Sequence, residues 1–155
     1  MDKQVWLNIG SQNLTIAKLF YENMPFCMIN TKHSNDKMLS LYLGDNKLVV
    51  NLFENSVFAT ILGASPAQSS EMLMSIGAGS INEVNQWAQA VRNSGGKILA
   101  EPDMKDGWMY GFGFADPDGH KWNVLFMDYD KMPKLHKENQ HNFTESRITH
   151  LDKSS

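Results

Sequence analysis

The fold of this chain is decided by the stretch Gly107–Met127, GWMYGFGFADPDGHKWNVLFM. Two runs with the alternation of a β-strand, Met109–Ala115 and Lys121–Met127, flank the residues Asp-Pro-Asp-Gly. Proline fixes φ, aspartate side chains bond nearby backbone groups and glycine tolerates a positive φ, so these four residues are typical of a tight turn. The stretch is therefore predicted to be a β-hairpin.

In the second strand of this hairpin, successive side chains point to opposite faces. One face would carry Trp122, Val124 and Phe126, and the other Lys121, Asn123, Leu125 and Met127. Both faces hold apolar groups, so we expect this strand to be covered on both sides. The partner run contains Gly111 and Gly113, which weaken a strand unless something approaches its backbone closely. We interpret these glycines as opening a hollow.

The rest of the chain shows the order strand, helix and three strands twice. In the first half, Asn13 can cap a helix that Pro25 ends. One side of that helix is expected to carry Ile16, Leu19, Phe20 and Asn23. The predicted strands of this half are Val5–Ile9, Cys27–Thr31, Met38–Leu43 and Lys47–Phe53.

The second half repeats this order after the Ser-, Pro- and Ala-rich segment Gly63–Ser70. Glu71–Ile76 is a predicted strand, and Ser80 and Glu83 have the spacing of a capping box at the start of a helix. An apolar stripe with helical spacing follows at Val84, Trp87, Ala88 and Val91. Lys97–Ala100 and the hairpin complete this half, so the two halves look like copies.

Two βαβββ modules predict an α+β fold. Paired side by side, they would make a curved, cup-shaped mixed sheet with the helices outside, and a concave face of this kind is where small molecules bind. We place the modules at about residues 1–64 and 70–130 of a single domain, 1–130. The remaining residues, 131–155, are polar with scattered apolar groups, which predicts a C-terminal extension.

Composition excludes several classes of partner. The chain has 155 residues, a net charge of −3 and a pI near 5.9, which argues against nucleic acid because phosphate neutralisation needs clustered Lys and Arg. No apolar stretch approaches the roughly 18 residues of a membrane span, so we expect no membrane partner and a cytoplasmic location. The single cysteine, Cys27, excludes an internal disulfide, and we expect it to be a buried, inert thiol.

Three motifs in this order, FYENMPF (20–26), SGGKILAEP (94–102) and GWMYGFGFADPDGHKWNVLFMD (107–128), resemble the vicinal oxygen chelate superfamily. This superfamily comprises glyoxalase I, bleomycin- and fosfomycin-resistance proteins and extradiol dioxygenases, and the chain is most similar to its small bacterial glyoxalase-like members over Val5–Asp128. The resemblance implies the cup-shaped fold and a homodimer. In the enzymes it also implies a divalent metal, held by His, Gln or Glu from the first and last strands of both halves.

The positions that the resemblance assigns to metal donors carry unsuitable side chains. They are Asn51 and Asn123 in the last strands, with Trp6 or Asn8 and Met72 or Met74 in the first strands. A carboxamide oxygen is a weak donor, a thioether suits soft Cu(I), and an indole binds no metal. We therefore predict no bound metal and no cofactor.

Asn51 and Asn123 are instead predicted to orient a neutral or zwitterionic ligand through hydrogen bonds, unless backbone groups satisfy them. Aromatic side chains would supply affinity by stacking. Whether Tyr110 or Gly111 faces the cavity depends on the register of the hairpin. The predicted ligand-binding residues are Trp6, Asn8, Asn51, Met72, Trp108, Tyr110 and Asn123.

The sequence is compatible with three functions. We favour a protein that binds a small organic molecule in its cup without the usual catalytic metal, as bleomycin-resistance proteins do. The alternative is a metal-dependent lyase, isomerase or dioxygenase resembling lactoylglutathione lyase, or a metal-free enzyme that uses Glu54 or Asp106. The third is an interaction protein whose own side chains fill the cup. No catalytic residue is assigned, and His120 is expected to serve the turn.

Overall fold

The computed structural model describes residues 4–45, 47–66 and 71–133. The first module contains β1 (Trp6–Ser11), α1 (Leu14–Glu22), β2 (Cys27–Ile29), β3 (Met38–Leu43) and β4 (Leu48–Glu54), and α2 (Asn55–Leu62) follows it. The second contains β5 (Leu73–Gly77), α3 (Ile81–Asn93), β6 (Lys97–Lys105), β7 (Met109–Ala115) and β8 (Lys121–Met127). The two predicted βαβββ modules are confirmed. Most of the predicted C-terminal extension, from residue 134 onward, lies outside the described residues.

Each module forms its own four-stranded mixed sheet. Sheet A has the strand order β1-β4-β3-β2, and sheet B has the order β5-β8-β7-β6. In both sheets the first strand is parallel to the last strand of its module, and the other pairs are antiparallel. Neither sheet closes on itself, so the α+β class and the curved, cup-like form of the sheets agree with the prediction.

One apolar core lies between the two modules. The ring of Phe20 in α1 lies 6.1 Å from that of Phe114 in β7, and the ring of Tyr21 lies 6.3 Å from that of Trp122 in β8. The helix of the first module thus packs against strands of the second. Because side chains alternate along a strand, the opposite face of each sheet points away from this core. We call these two surfaces the outer faces of sheets A and B.

The predicted helix caps are confirmed. The Asn13 side chain accepts a hydrogen bond from the Ile16 backbone N–H at 3.1 Å, and the Ser80 hydroxyl accepts one from Glu83 N–H at the same distance. The Glu83 carboxylate accepts from the backbone N–H of Gly79. Both helices therefore begin where side chains satisfy their free amide groups.

The predicted orientation of α1 is wrong in part. Ile16 and Leu19 are 50% and 59% exposed, whereas Ala17, Phe20 and Tyr21 are buried. A short helix with apolar groups on several sides can bury more than one of its faces. Phe20 belongs both to the predicted face and to the face that is buried. The cross-module contacts of Phe20 and Tyr21 select the face that is buried.

Two elements differ from the sequence prediction. Helix α2 was not predicted, because it has no side-chain cap and none of its residues is buried. It is held on the outer face of sheet A, where the Phe58 ring stacks on Phe53 with centroids 6.0 Å apart. Strand β6 is longer than predicted, with register shifts between Ile98 and Asp103. Pro102 lies within it, which an edge strand tolerates because one backbone donor is not needed there.

The hairpin forms as predicted, with Trp122 and Val124 in the core. The alternate residues of β8, such as Asn123 and Leu125, are half-buried on the outer face of sheet B. The expected hollow is not present at Gly111, where an added Cβ would collide with the Val124 backbone and the Leu125 side chain. None of the helices in the described part of the chain is long and apolar enough to cross a membrane.

Candidate functional site

The Asp-Pro-Asp-Gly turn is bonded to the first module through a buried carboxylate. Asp116 is 4% exposed, and its Oδ2 atom accepts a hydrogen bond from the Tyr21 hydroxyl at 2.5 Å. The same oxygen lies 2.8 Å from Nδ1 of His120. Its Oδ1 atom accepts from the backbone N–H groups of Asp118 and His120. Four hydrogen bonds thus satisfy this buried group, as its burial requires.

A second carboxylate of the turn bonds the end of β1. Asp118 accepts hydrogen bonds from the Ser11 hydroxyl at 2.6 Å and from the Gln12 backbone N–H at 2.7 Å. The turn of the second module therefore holds both the first strand and the first helix of the other module. We call Ser11, Tyr21, Asp116, Asp118 and His120 the junction network.

The junction network favours the charged form of His120. Burial alone would lower the pKa of His120, but the hydrogen bond and charge of Asp116, the charge of Asp118 and the Gly10 backbone together raise the pKa above the ordinary 6.5. Burial, with the charge of Asp116, raises the pKa of Tyr21 well above its usual value. Tyr21 therefore remains a hydrogen-bond donor, and His120 keeps its proton to a higher pH than a free histidine.

A cavity of about 480 Å³ lies beneath α2, between β1 and the Asp-Pro-Asp-Gly turn. We call it the α2 cavity. One part of its wall is apolar, and the other carries amide, carboxylate and imidazole groups. The lining residues are Asn8, Ile9, Gly10, Gln12, Asn55, Phe58, Leu62, Pro66, Met72, Met74, Asp118 and His120. Its volume and mixed lining are typical of a small-molecule site.

A pair of polar side chains lies on the outer face of each sheet, on the first and last strands of the module. In sheet A, Asn8 pairs with Asn51, whose Nδ2 donates to Oδ1 of Asn8 at 2.9 Å. The equivalent pair in sheet B is Ser75 and Asn123. The Oδ1 atom of Asn123 is buried, without a hydrogen-bond partner among the described residues. A buried acceptor of this kind calls for a donor from water or a ligand.

The structure brings together four of the seven predicted ligand-binding residues. Asn8 and Met72 line the α2 cavity, and Asn51 is bonded to Asn8. Trp6 lies two residues before Asn8 on the same outer face and is 54% exposed. These residues lie at the cavity or beside it.

The other three lie in the second module, and none of them lines this cavity. Tyr110 donates a hydrogen bond to Oδ1 of Asn85 in α3, so its side chain lies on the helix side of sheet B. Asn123 is on the outer face of that sheet, and Trp108 precedes β7, where its backbone oxygen accepts from the Asp128 N–H. Within one chain, the seven residues therefore do not form a single site.

Some residues of the cavity wall and of the outer face of sheet B were not among the residues predicted from the sequence. Ser75 is the counterpart of Asn8, whereas Met74 pairs with Trp122 and lies on the core side of β5. The register of the parallel β5–β8 pair decides this, and no spacing in the sequence signals it. Asn55 and Phe58 escaped because α2 was not expected. The apolar run that follows Glu54 was the only available signal.

The donor set does not fit the divalent metal that the resemblance implies. The positions concerned hold Asn8, Asn51, Ser75 and Asn123, which carry no charge, and the Asn8 oxygen already accepts from Asn51. Within residues 4–45, 47–66 and 71–133, no group of three His, Cys, Asp or Glu side chains is placed to hold a metal ion. A ligand in this site would therefore meet hydrogen-bonding and apolar groups.

The duplicated βαβββ fold and a cavity at the module junction define a class of small two-module proteins. The family model of the Glyoxalase/Bleomycin resistance protein/Dioxygenase superfamily matches residues 5–124, and the chain belongs to this superfamily. No sequence among curated proteins matches it.

Solved structures share the fold. A hypothetical protein from S. aureus is 31% identical, with a TM-score of 0.71 over 81% of this chain and 95% of that one. A genomically encoded fosfomycin resistance protein from Listeria monocytogenes is 13% identical, with a TM-score of 0.63 over 84% and 98% of the two chains. Lactoylglutathione lyase from Agrobacterium tumefaciens is 13% identical, with a TM-score of 0.61 over 81% and 94%. The last two show likeness of fold alone.

Proposed function

We propose that this protein binds a small organic molecule in the α2 cavity, without a catalytic metal. The observation that carries the proposal is the composition of the cavity wall. Phe58, Leu62 and Met72 provide an apolar surface, while Asn8 and Asp118 provide hydrogen-bonding groups in the same space. A cavity of about 480 Å³ has the volume of a site for a drug-sized molecule.

The polar groups suggest how such a molecule would be oriented. The Asn8 Oδ1 atom accepts a hydrogen bond from Asn51, and the Asn8 Nδ2 group is the donor that this side chain offers at the cavity wall. Asp118 accepts one hydrogen bond at each oxygen, and a carboxylate has further acceptor sites. A ligand with an apolar body and a hydrogen-bonding end therefore matches the wall. Trp6 and Asn51 would contact any part that extends along the outer face of sheet A.

The alternative function, a metal-dependent lyase, isomerase or dioxygenase, has less support. The similarity to lactoylglutathione lyase is one of fold. Lewis-acid chemistry also requires donors that hold a cation, and the amide and hydroxyl groups at the relevant strands are weak donors. Elemental analysis of protein purified without chelator tests this point. Stoichiometric Zn, Ni, Fe or Mn would overturn the metal-free proposal.

Dimerisation is part of the proposal. Trp6, Val49, Tyr42 and Met28 follow one another across the four strands of sheet A on its outer face. An apolar row of this kind, exposed at Trp6 and Met28, is a suitable surface for a self-complementary contact between two copies. Analytical ultracentrifugation of the wild type and Trp6→Ser tests it, because the substitution should shift the equilibrium toward monomer. The cytoplasmic location stays a prediction from the sequence.

Ligand binding is tested first by a thermal-shift screen and then by calorimetry. A ligand present at 100 times its Kd stabilises the folded state by about 2.7 kcal/mol, which is readily detected. For a hit, Asn8→Ala should weaken binding by about tenfold, which corresponds to one lost hydrogen bond. Ser75→Ala is the matched control at the equivalent position of the other sheet and should leave Kd unchanged. Equal Kd values for wild type and Asn8→Ala would contradict this site.

A further inference from the structure

The charged groups in the wall of the α2 cavity are unevenly distributed. The lining contains one carboxylate, that of Asp118, and one imidazole, that of His120, and none of its described residues is a lysine or an arginine. A second carboxylate, that of Asp116, lies next to His120 but outside the lining, with Oδ2 at 2.8 Å from Nδ1. The charge that a ligand meets in the cavity therefore depends on how these three groups are paired.

The charge of His120 is balanced inside the protein. Its Nδ1 atom bonds to Asp116, and the Gly10 backbone is a further hydrogen-bond partner of the ring. The Asp116 side chain is 1% exposed, so this ion pair is shielded from water. Opposite charges this close largely cancel at a distance of several ångströms. The pair therefore presents little net charge to a ligand.

Asp118 lacks a counter-ion of this kind. Its two oxygens accept from the Ser11 hydroxyl at 2.6 Å and from the Gln12 backbone N–H at 2.7 Å, and both donors are neutral. Among the residues that the structure describes, no cationic nitrogen lies within ion-pair distance of it. A carboxylate has about four acceptor positions, so each oxygen can accept one more hydrogen bond. Asp118 thus offers the cavity a negative charge and unused acceptor positions.

The apolar part of the wall suits the body of a cation. The Phe58 ring lines the cavity and stacks on Phe53, with centroids 6.0 Å apart. An aromatic ring packs against apolar groups and also attracts a cation. Leu62 and Met72 add further apolar surface. A molecule with an apolar body and one positive charge would therefore find a partner for each of its parts.

An anionic ligand matches this wall poorly. Carboxylates and phosphates are bound most strongly by charged donors such as arginine and lysine. The amide side chains of the wall, which belong to Asn8, Gln12 and Asn55, are neutral. An anion would also approach Asp118, and like charges repel strongly in a site that contains little water.

We propose that the ligand of the α2 cavity is a small organic cation, an amine with an apolar body, whose ammonium group binds Asp118. This inference rests on the proposed function, because it names the class of molecule that the cavity takes. The ammonium group donates hydrogen bonds to the Asp118 oxygens. The apolar body lies against Phe58, Leu62 and Met72.

Three probes that share an indole body test the charge of the ligand. Tryptamine carries an ammonium group, tryptophol a hydroxyl group and indole-3-acetate a carboxylate. Calorimetry at neutral pH should give a Kd for tryptamine about tenfold lower than that for tryptophol, because a charge-assisted hydrogen bond is the stronger one. Indole-3-acetate should bind most weakly. Raising NaCl from about 0.05 M to about 0.5 M should weaken the binding of tryptamine severalfold and that of tryptophol little, because salt screens charges.

The variant Asp118→Asn keeps the size of the side chain and removes its charge. It should raise the Kd of tryptamine about tenfold and change that of tryptophol less than about twofold. The ratio of the two Kd values is decisive, because a loss of folding stability would affect both probes alike. Two controls should leave this ratio unchanged. Ser11→Ala removes a hydrogen bond to Asp118 without changing charge, and Asp103→Asn removes a charge from β6, which contributes no residue to the wall.

The outcomes separate the class of ligand from the cavity itself. Equal Kd values for tryptamine and tryptophol, or a ratio that Asp118→Asn leaves unchanged, would overturn the assignment of a cation. If Phe58→Ala still weakens the binding of both probes, the cavity remains the site and the proposed function stands. A wild-type protein that binds none of the three probes would also overturn the cation, whereas the thermal-shift screen would still decide the proposed function.

Discussion

His120 Nδ1 lies 2.8 Å from Asp116 Oδ2, inside the turn that joins the two strands of the hairpin. The same oxygen accepts the hydroxyl of Tyr21, from a helix 95 residues away in the sequence. The turn is thus a connection between modules as well as a reversal of the chain. His120 also lines the α2 cavity, so the stability of the junction and the shape of the site depend on the same side chain.

The first prediction concerns pH. The pKa of His120 is raised in the folded state, so its contribution to stability is complete below the unfolded pKa of about 6.5 and is lost as pH rises through the folded pKa. His120→Asn should therefore lower the free energy of unfolding more at pH 6 than at pH 9, as measured by urea denaturation. If the difference in unfolding free energy between wild type and His120→Asn does not change with pH, the raised pKa of His120 is contradicted.

The second prediction concerns the buried hydroxyl of Tyr21. Tyr21→Phe removes one donor to the buried Asp116 carboxylate and should cost about 1–3 kcal/mol of stability. Chemical denaturation measures this loss. Tyr129→Phe removes an exposed hydroxyl and should change stability by less than about 0.5 kcal/mol. Equal effects of the two substitutions would show that the Tyr21–Asp116 bond adds nothing.

The third prediction compares two equivalent glycines. At Gly10 an added Cβ would collide with the end of the Asn55 side chain and crowd the Phe58 ring, so Gly10→Ala should shift these two residues of α2, destabilise the fold by about 1–3 kcal/mol and weaken binding in the α2 cavity. At Gly77 the described structure leaves space, so Gly77→Ala should change stability by less than about 1 kcal/mol. Thermal denaturation and calorimetry with a ligand from the screen measure both effects. A Gly10→Ala protein with wild-type stability and affinity would mean that α2 does not close the cavity.

The fourth prediction concerns the cap of α3. Ser80→Ala removes the acceptor for the Glu83 backbone N–H and should cost about 1 kcal/mol in urea denaturation. Thr15→Ala, at an exposed position in the first turn of α1 without a cap role, is the comparison and should cost less. The cap assignment fails if Ser80→Ala is as stable as the wild type.

The local structural features of the chain could be predicted from the sequence. The bounds of β7 and β8, the two caps and the buried stripe of α3 follow from alternation, turn residues and helical spacing, and the structure has them as predicted. These features depend on residues within a few positions of one another. Asn8 and Asn51 were each named as site candidates from the sequence, but their hydrogen bond to each other is known only from the structure.

The remaining site features depend on register and on contacts between modules. The buried face of α1, the pairing of Ser75 with Asn123 and the position of α2 involve partners far away in the sequence. A shift of one residue in register reverses the face of every side chain in a strand, and no local signal fixes that register between parallel strands. The separation of Asn51 and Asn123 onto two outer faces could not be predicted for this reason.

By itself, the sequence determined the duplicated βαβββ order, the hairpin and the absence of charged donors at the strand positions where the resemblance places a metal. Only the tertiary structure decided that the Asp-Pro-Asp-Gly turn bonds the first module and that α2 and His120 share a cavity wall. The physical reason is distance along the chain. Turns and caps are stabilised by neighbouring residues, whereas Ser11 and Asp118 are 107 positions apart and meet only when both modules have packed on one core.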